Sequence, residues 1–169
     1  MGHSVAPPRD GVLTRRITVR EDSPIAVRTY DYADAFEVRT PEPVLGSPEG
    51  VARAALEGAP PAVRFGIWFA WHVLLRFRLG PRSGSPDHVF GARTVRSDQE
   101  LIELELAGPL MRGVIVGRIL DPTRNAATTF VFFERPLLAR VVWTLVGPLH
   151  RTLAPYLLKH GATRLEVTR

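Results

Sequence analysis

The sequence predicts one α+β domain in which two apolar helices, at about residues 61–79 and 136–160, close over a curved antiparallel sheet and shelter a hydrophobic pocket. Three observations predict it. The two apolar runs are opened by Pro61 and Pro136, and proline is favoured at the first helical position. Between them, from Val89 to Glu134, the period changes to strand-like alternation broken by short turns. At 169 residues and 45% hydrophobic content, the chain is long enough for one domain with a real core and too short for two of ordinary size.

The elements follow in order. Residues 1–12, with Pro7, Pro8 and Gly11, read as a flexible leader to a domain spanning 13–162, with 163–169 as a tail. Leu13–Arg20 alternates apolar and polar side chains as a short strand does, and Ile25–Tyr30 and Ala35–Val38 flank a polar, aromatic segment that ends before Pro41 and Pro43. Ser47-Pro48-Glu49-Gly50 has the form of a helix start, with Ser47 as N-cap, and the short helix it opens ends near Gly58. Ala62–Leu79 is then a longer helix stopped by Gly80-Pro81; its apolar run Phe65–Leu75 is eleven residues, well short of the ~20 that span a bilayer.

Four consecutive strands are expected at Val89–Arg96, Leu101–Ala107, Leu110–Leu120 and Ala126–Glu134. On the second, Ile102, Leu104 and Leu106 face one way and Glu103 and Glu105 the other, which predicts a sheet with one covered and one wet face. The covering elements are the helices. The last apolar segment carries Pro148 and Pro155 inside it, and its Arg140, His150, Arg151 and Lys159 keep it from reading as a membrane span.

Net charge is +5, but it is unevenly placed: residues 1–60 hold seven Arg against nine acids, and the basic excess belongs to residues 61–169. Of the 22 basic residues only Lys159 is lysine, an imbalance that looks like the codon usage of a GC-rich genome rather than a nucleic-acid footprint, and no nucleic-acid partner is expected. The chain has no cysteine, hence no disulfide, thiolate metal site or cysteine nucleophile. Its N-terminus lacks the basic-then-apolar order of a signal peptide, so a cytoplasmic location is expected.

Three stretches carry a resemblance: Asp31-Tyr32-Ala33-Asp34-Ala35-Phe36, Ala59-Pro60-Pro61 leading through Arg76 to Leu79-Gly80, and Pro148-Leu149-His150-Arg151 with Leu157-Leu158. Together with the element order, they resemble an uncharacterised bacterial, actinobacterial family of the START-like helix-grip (SRPBCC, polyketide cyclase/Bet v 1-like) superfamily, over about residues 28–160. The chain departs from that pattern at Leu110-Met111-Arg112-Gly113, where polar residues are expected. The resemblance implies a cavity between sheet and C-terminal helix for a lipid, polyketide or other apolar ligand. It does not imply one activity, because members carry ligands, cyclise polyketides or sense hormones.

No metal-ligand spacing, phosphate loop or Gly-x-Ser-x-Gly elbow is present, so no metal and no cofactor is expected; Asp87-His88 reads as a loop. His72 and His150 lie on apolar helices, where an imidazole facing a cavity orients a carbonyl or acts as general base, and one at the helix edge caps a carbonyl or meets solvent. His150 is the stronger candidate, since Pro148 frees a backbone carbonyl beside it. Asp34, partly enclosed by Tyr32 and Phe36, is desolvated in a way that suits proton transfer to an enol-forming substrate, whereas a structural aspartate there pairs with arginine or caps a turn.

Trp68, Trp71 and Trp143 offer flat rings to an apolar ligand or to the core. Arg112 and Arg118 share a strand face with Val114 and Val116; inward, Arg112 meets a ligand carboxylate or phenolate, and outward it is solvated. The expected site is therefore catalytic Asp34 and His150 with ligand-binding Tyr32, Trp68, His72, Arg112 and Trp143. The expected function is binding of a hydrophobic small molecule, with any catalysis a cofactor-independent cyclase, isomerase or dehydratase step. The alternatives are a non-catalytic lipid carrier making transient membrane contact, and an interaction module that pairs with a second copy of itself.

Overall fold

A computed structural model of the chain describes residues 12–19 and 29–165. The leader up to residue 11, the end of the first expected strand at Arg20, residues 25–28 and the last four residues lie outside the described residues. The chain forms an α+β fold: a seven-stranded antiparallel open sheet, two short helices and a long C-terminal helix. In chain order these are β1 (Leu13–Ile17), β2 (Tyr32–Arg39), α1 (Pro48–Leu56), α2 (Pro61–Phe69), β3 (His88–Val89), β4 (Ala92–Ser97), β5 (Leu101–Ala107), β6 (Met111–Asp121), β7 (Arg124–Phe133) and α3 (Pro136–Arg164). The sheet order is β1-β2-β7-β6-β5-β4-β3, so β2 returns to pair with the last strand and the rest is a meander.

Local chemistry sets the boundaries. Ser47 caps α1 by accepting from the Gly50 N–H at 3.1 Å, with Pro48 at the first helical position. Asp98 Oδ1 accepts from the Glu100 and Leu101 amides, both at 2.9 Å, and so builds the turn into β5. Asp121 does the same for Thr123, and the adjoining Arg124 side chain holds its carboxyl down at about 2.

The second helix is shorter than expected. α2 ends at Phe69, a π-helical stretch covers Ala70–Leu74, and residues 75–79 leave the helix through Arg76, whose φ is +56°. The widened turn lets the Leu75 amide bond to the Ala70 carbonyl at 2.8 Å, and the exiting segment hands Phe77 into the core. The expected strand Val89–Arg96 is likewise two strands. Phe90 (φ +49°) and Gly91 (φ +90°) form a two-residue turn between β3 and β4, left-handed at both positions as a tight hairpin demands. Phe90 tolerates that conformation because its buried ring packs on Trp71, 6.1 Å away, and its N–H reaches Glu57 Oε1 at 3.2 Å.

The expectation of one wet sheet face is corrected. One face, with Ile102, Leu104 and Leu106, is covered by the helices as expected. The opposite face carries its own buried cluster of Leu101, Val114, Val116, Phe130 and Phe132, on which Val19 and Tyr30 pack. The reason is composition: β6 and β7 are apolar on both faces, and only β5 alternates. Even there Glu103 is half-buried, and desolvation raises its carboxyl above the usual range.

Candidate functional site

Side chains at every second position of a strand share a face, so Tyr32, Asp34, Phe36 and Val38 of β2 all point toward α3. Their cross-strand partners on β7 are Val131, Thr129, Ala127 and Asn125. On α3 the inward face is written by Trp143, Val146, His150, Leu153 and Leu157, at spacings of three and four residues. These faces do not close on each other completely. Between sheet, α1, α2 and α3 lies a cavity of about 160 Å³, lined almost wholly by apolar side chains; its few polar ones include His150, Thr129 and Asn125. Small residues on the sheet floor, Gly113, Gly117 and Ala127, leave the room open.

At the α3 wall of the cavity, four sequence-predicted residues come together. His150 Nε2 lies 3.2 Å from Asp34 Oδ1, and the Tyr32 hydroxyl donates to Asp34 Oδ2 at 2.7 Å. The Trp143 ring packs 5.0 Å from Tyr32 and 5.5 Å from the His150 imidazole. Asp34 is wholly buried, so its carboxylate needs these two donors. With Nε2 donating to it, His150 carries its lone pair on Nδ1. The Tyr32 phenol is pushed up to about 12, first by burial and then by the hydrogen bond and charge of Asp34, with Arg151 pulling the other way. It stays a donor across the physiological range.

The members of this group are placed differently with respect to the cavity. His150 and Trp143 line the cavity, whereas Asp34 and Tyr32 do not. Asp34 stands behind the imidazole with both oxygens engaged, so it reaches the cavity only through His150. Asp31, from the same motif, accepts the Phe133 N–H at 2.7 Å and secures the end of β7.

No family model, curated protein or solved structure matches the chain.

The remaining expected site residues lie elsewhere. Trp68 and His72 stack on each other at 5.3 Å away from the cavity, with Arg82 over the indole; Trp71 lines the cavity instead. Arg112 is on the opposite sheet face, 4.4 Å over the Phe132 ring and 3.7 Å from Glu105, so it is neither inward nor merely solvated. Sequence reasoning missed Asn125. It is buried at the cavity wall, and neither its amide oxygen nor its amide nitrogen has a hydrogen-bond partner; Trp143 Nε1 is buried and unpartnered as well. Buried polar atoms are rarely left so. Among the described residues, no group of three His, Cys, Asp or Glu is arranged to hold a metal ion.

Proposed function

We propose that the chain is a START-like helix-grip protein whose cavity binds an apolar small molecule of lipid or polyketide character. The observation that carries this reading is the cavity itself, an apolar chamber with the His150 imidazole in its wall and two unpartnered polar groups, Asn125 and Trp143 Nε1, at its lining. Apolar surface drives binding, and the few polar groups select and orient a guest that carries oxygen or nitrogen functions.

The same geometry supports proton transfer. For a guest with two carbonyls spaced far enough along its chain to close a ring, His150 Nδ1 takes the proton from a carbon beside the first, and the C–H electron pair becomes an enolate. The enolate carbon attacks the second carbonyl, a C–C bond forms, and the imidazolium returns its proton to the new alkoxide. Atoms and charge balance without any cofactor. Asp34 supports the step by holding the ring and stabilising the transient imidazolium.

Native mass spectrometry of the chain purified under mild conditions tests the binding reading, with Gly113→Val as a cavity-filling control. A Cβ at Gly113 meets only ordinary contacts, Phe77 Cζ at 3.6 Å and Leu106 Cβ at 3.8 Å, and Gly113 lines the cavity. The expected result is a co-purifying compound, or a bound neutral dye such as Nile red, in the wild type and a clear loss in the variant. Absence of both in the wild type overturns the reading.

A further inference from the structure

The outer face of α3 is apolar and uncovered. Leu137, Val141, Leu145 and Leu149 recur every four residues, with Leu137 82% and Leu145 76% exposed, and Leu138 and Tyr156 lie within the same band. At 100° per residue they fill a sector of roughly 120°. Arg140 and Arg151, both exposed, run along one border of it. A second run of exposed apolar side chains, Phe65, Phe69 and Val73, lies on α2 and the π-helical stretch. Soluble surfaces seldom leave such bands without a partner.

Charge decides which partner. Residues 58–86 hold four Arg, residues 135–165 hold four Arg and Lys159, and neither segment contains a single Asp or Glu. A second copy docking on this face would set cations against cations. A bilayer with anionic headgroups offers the complementary charge together with an apolar interior. Among the described residues no helix is long and apolar enough to cross a membrane, which leaves the surface-lying mode.

We propose that the outer face of α3 docks on anionic bilayers: the leucines and Val141 enter the acyl boundary, and the arginines stay at headgroup level. Leu149 is half-exposed on this band and also lines the cavity, so the docking face and the chamber adjoin at that side chain.

Co-sedimentation of the full chain with vesicles tests this. Binding is expected to phosphatidylcholine vesicles containing about 30% phosphatidylglycerol, to be much weaker on phosphatidylcholine alone, and to fall toward that weaker level in about 0.5 M NaCl. Leu145→Glu is expected to lower the partition coefficient at least tenfold while the far-ultraviolet circular dichroism and the melting point stay put, because that side chain touches little of the fold. Arg140→Gln, which leaves the apolar band intact, is expected to weaken binding several-fold on anionic vesicles. Val95→Glu, an exposed apolar position on β4, is expected to change nothing. The proposal is overturned if the wild type does not sediment with anionic vesicles, if Leu145→Glu binds as the wild type does, or if Leu145→Glu instead dissolves a dimer that has no affinity for lipid.

Discussion

Asp34 and His150 stand 116 positions apart in the chain and meet at 3.2 Å, Oδ1 of the side chain on β2 against Nε2 of the imidazole on α3. Asp34→Asn preserves shape but turns a NH2 or a neutral oxygen toward the ring. The amide oxygen is the better acceptor for the Tyr32 hydroxyl, which leaves its NH2 facing His150 Nε2 and forces the proton to Nδ1. Nitrogen NMR of the histidine side chains is expected to show the Nε2–H tautomer in the wild type and Nδ1–H in the variant. Unfolding in urea is expected to show a loss of about 1–3 kcal/mol. An unchanged tautomer would mean that the pair does not orient the ring.

Tyr32 makes the protein sensitive to alkali in a defined window. Its phenol is held up to about 12 against an ordinary value of 10.0, so between these values the folded chain keeps a proton that the unfolded chain has released. The stabilisation is full below about pH 10 and is lost as pH rises toward 12. Phenolate absorbance is expected to show a late-titrating tyrosine that disappears in Tyr32→Phe. The variant also leaves Asp34 Oδ2 buried without its donor, a loss of about 1–3 kcal/mol read by denaturant unfolding.

Asn125→Leu removes a buried amide that makes no side-chain hydrogen bond and is close to it in size. The expected outcome is equal or greater stability, by up to about 2 kcal/mol. In the same variant naphthalene is expected to bind as well as before and naphthalene-2-carboxamide worse, measured by tryptophan quenching. A large destabilisation would show that the amide is satisfied by something inside the chamber even when no guest is added.

Two glycines on β6 separate room from crowding. A Cβ at Gly117 meets Ile102 Cγ2 at 3.0 Å, whereas Gly113 has ordinary clearances. Gly113→Val is therefore expected to hold or raise the melting point, since glycine weakens a strand by about 0.5–1 kcal/mol, while lowering Nile red affinity at least fivefold. Gly117→Val is expected to lower the melting point. If the order is reversed, the floor of the chamber is not formed by these two positions.

Where sequence pattern had a period to offer, it put candidate residues on shared faces. Tyr32 and Asp34 lie two apart on a strand, and Trp143 and His150 seven apart on a helix, so each pair shares a face and only the packing of one on the other needed the structure. Trp68 and His72 were placed wrongly because Phe65–Leu75 is apolar on all sides, and a run without a polar face cannot say which side turns inward. The π-helical stretch and the Phe90-Gly91 turn were invisible for a related reason: tertiary contacts of Phe77 and Phe90 stabilise backbone that local preference does not favour. Asn125 was overlooked since an asparagine next to a turn reads as turn chemistry.

Leu149 is at once part of the wall of the chamber and part of the outer surface. Two binding equilibria that share one side chain are thermodynamically linked, and the linkage is reciprocal. For the guest binding and the membrane adhesion proposed above, by whatever factor adhesion alters the grip on a guest, the guest alters adhesion by the same factor.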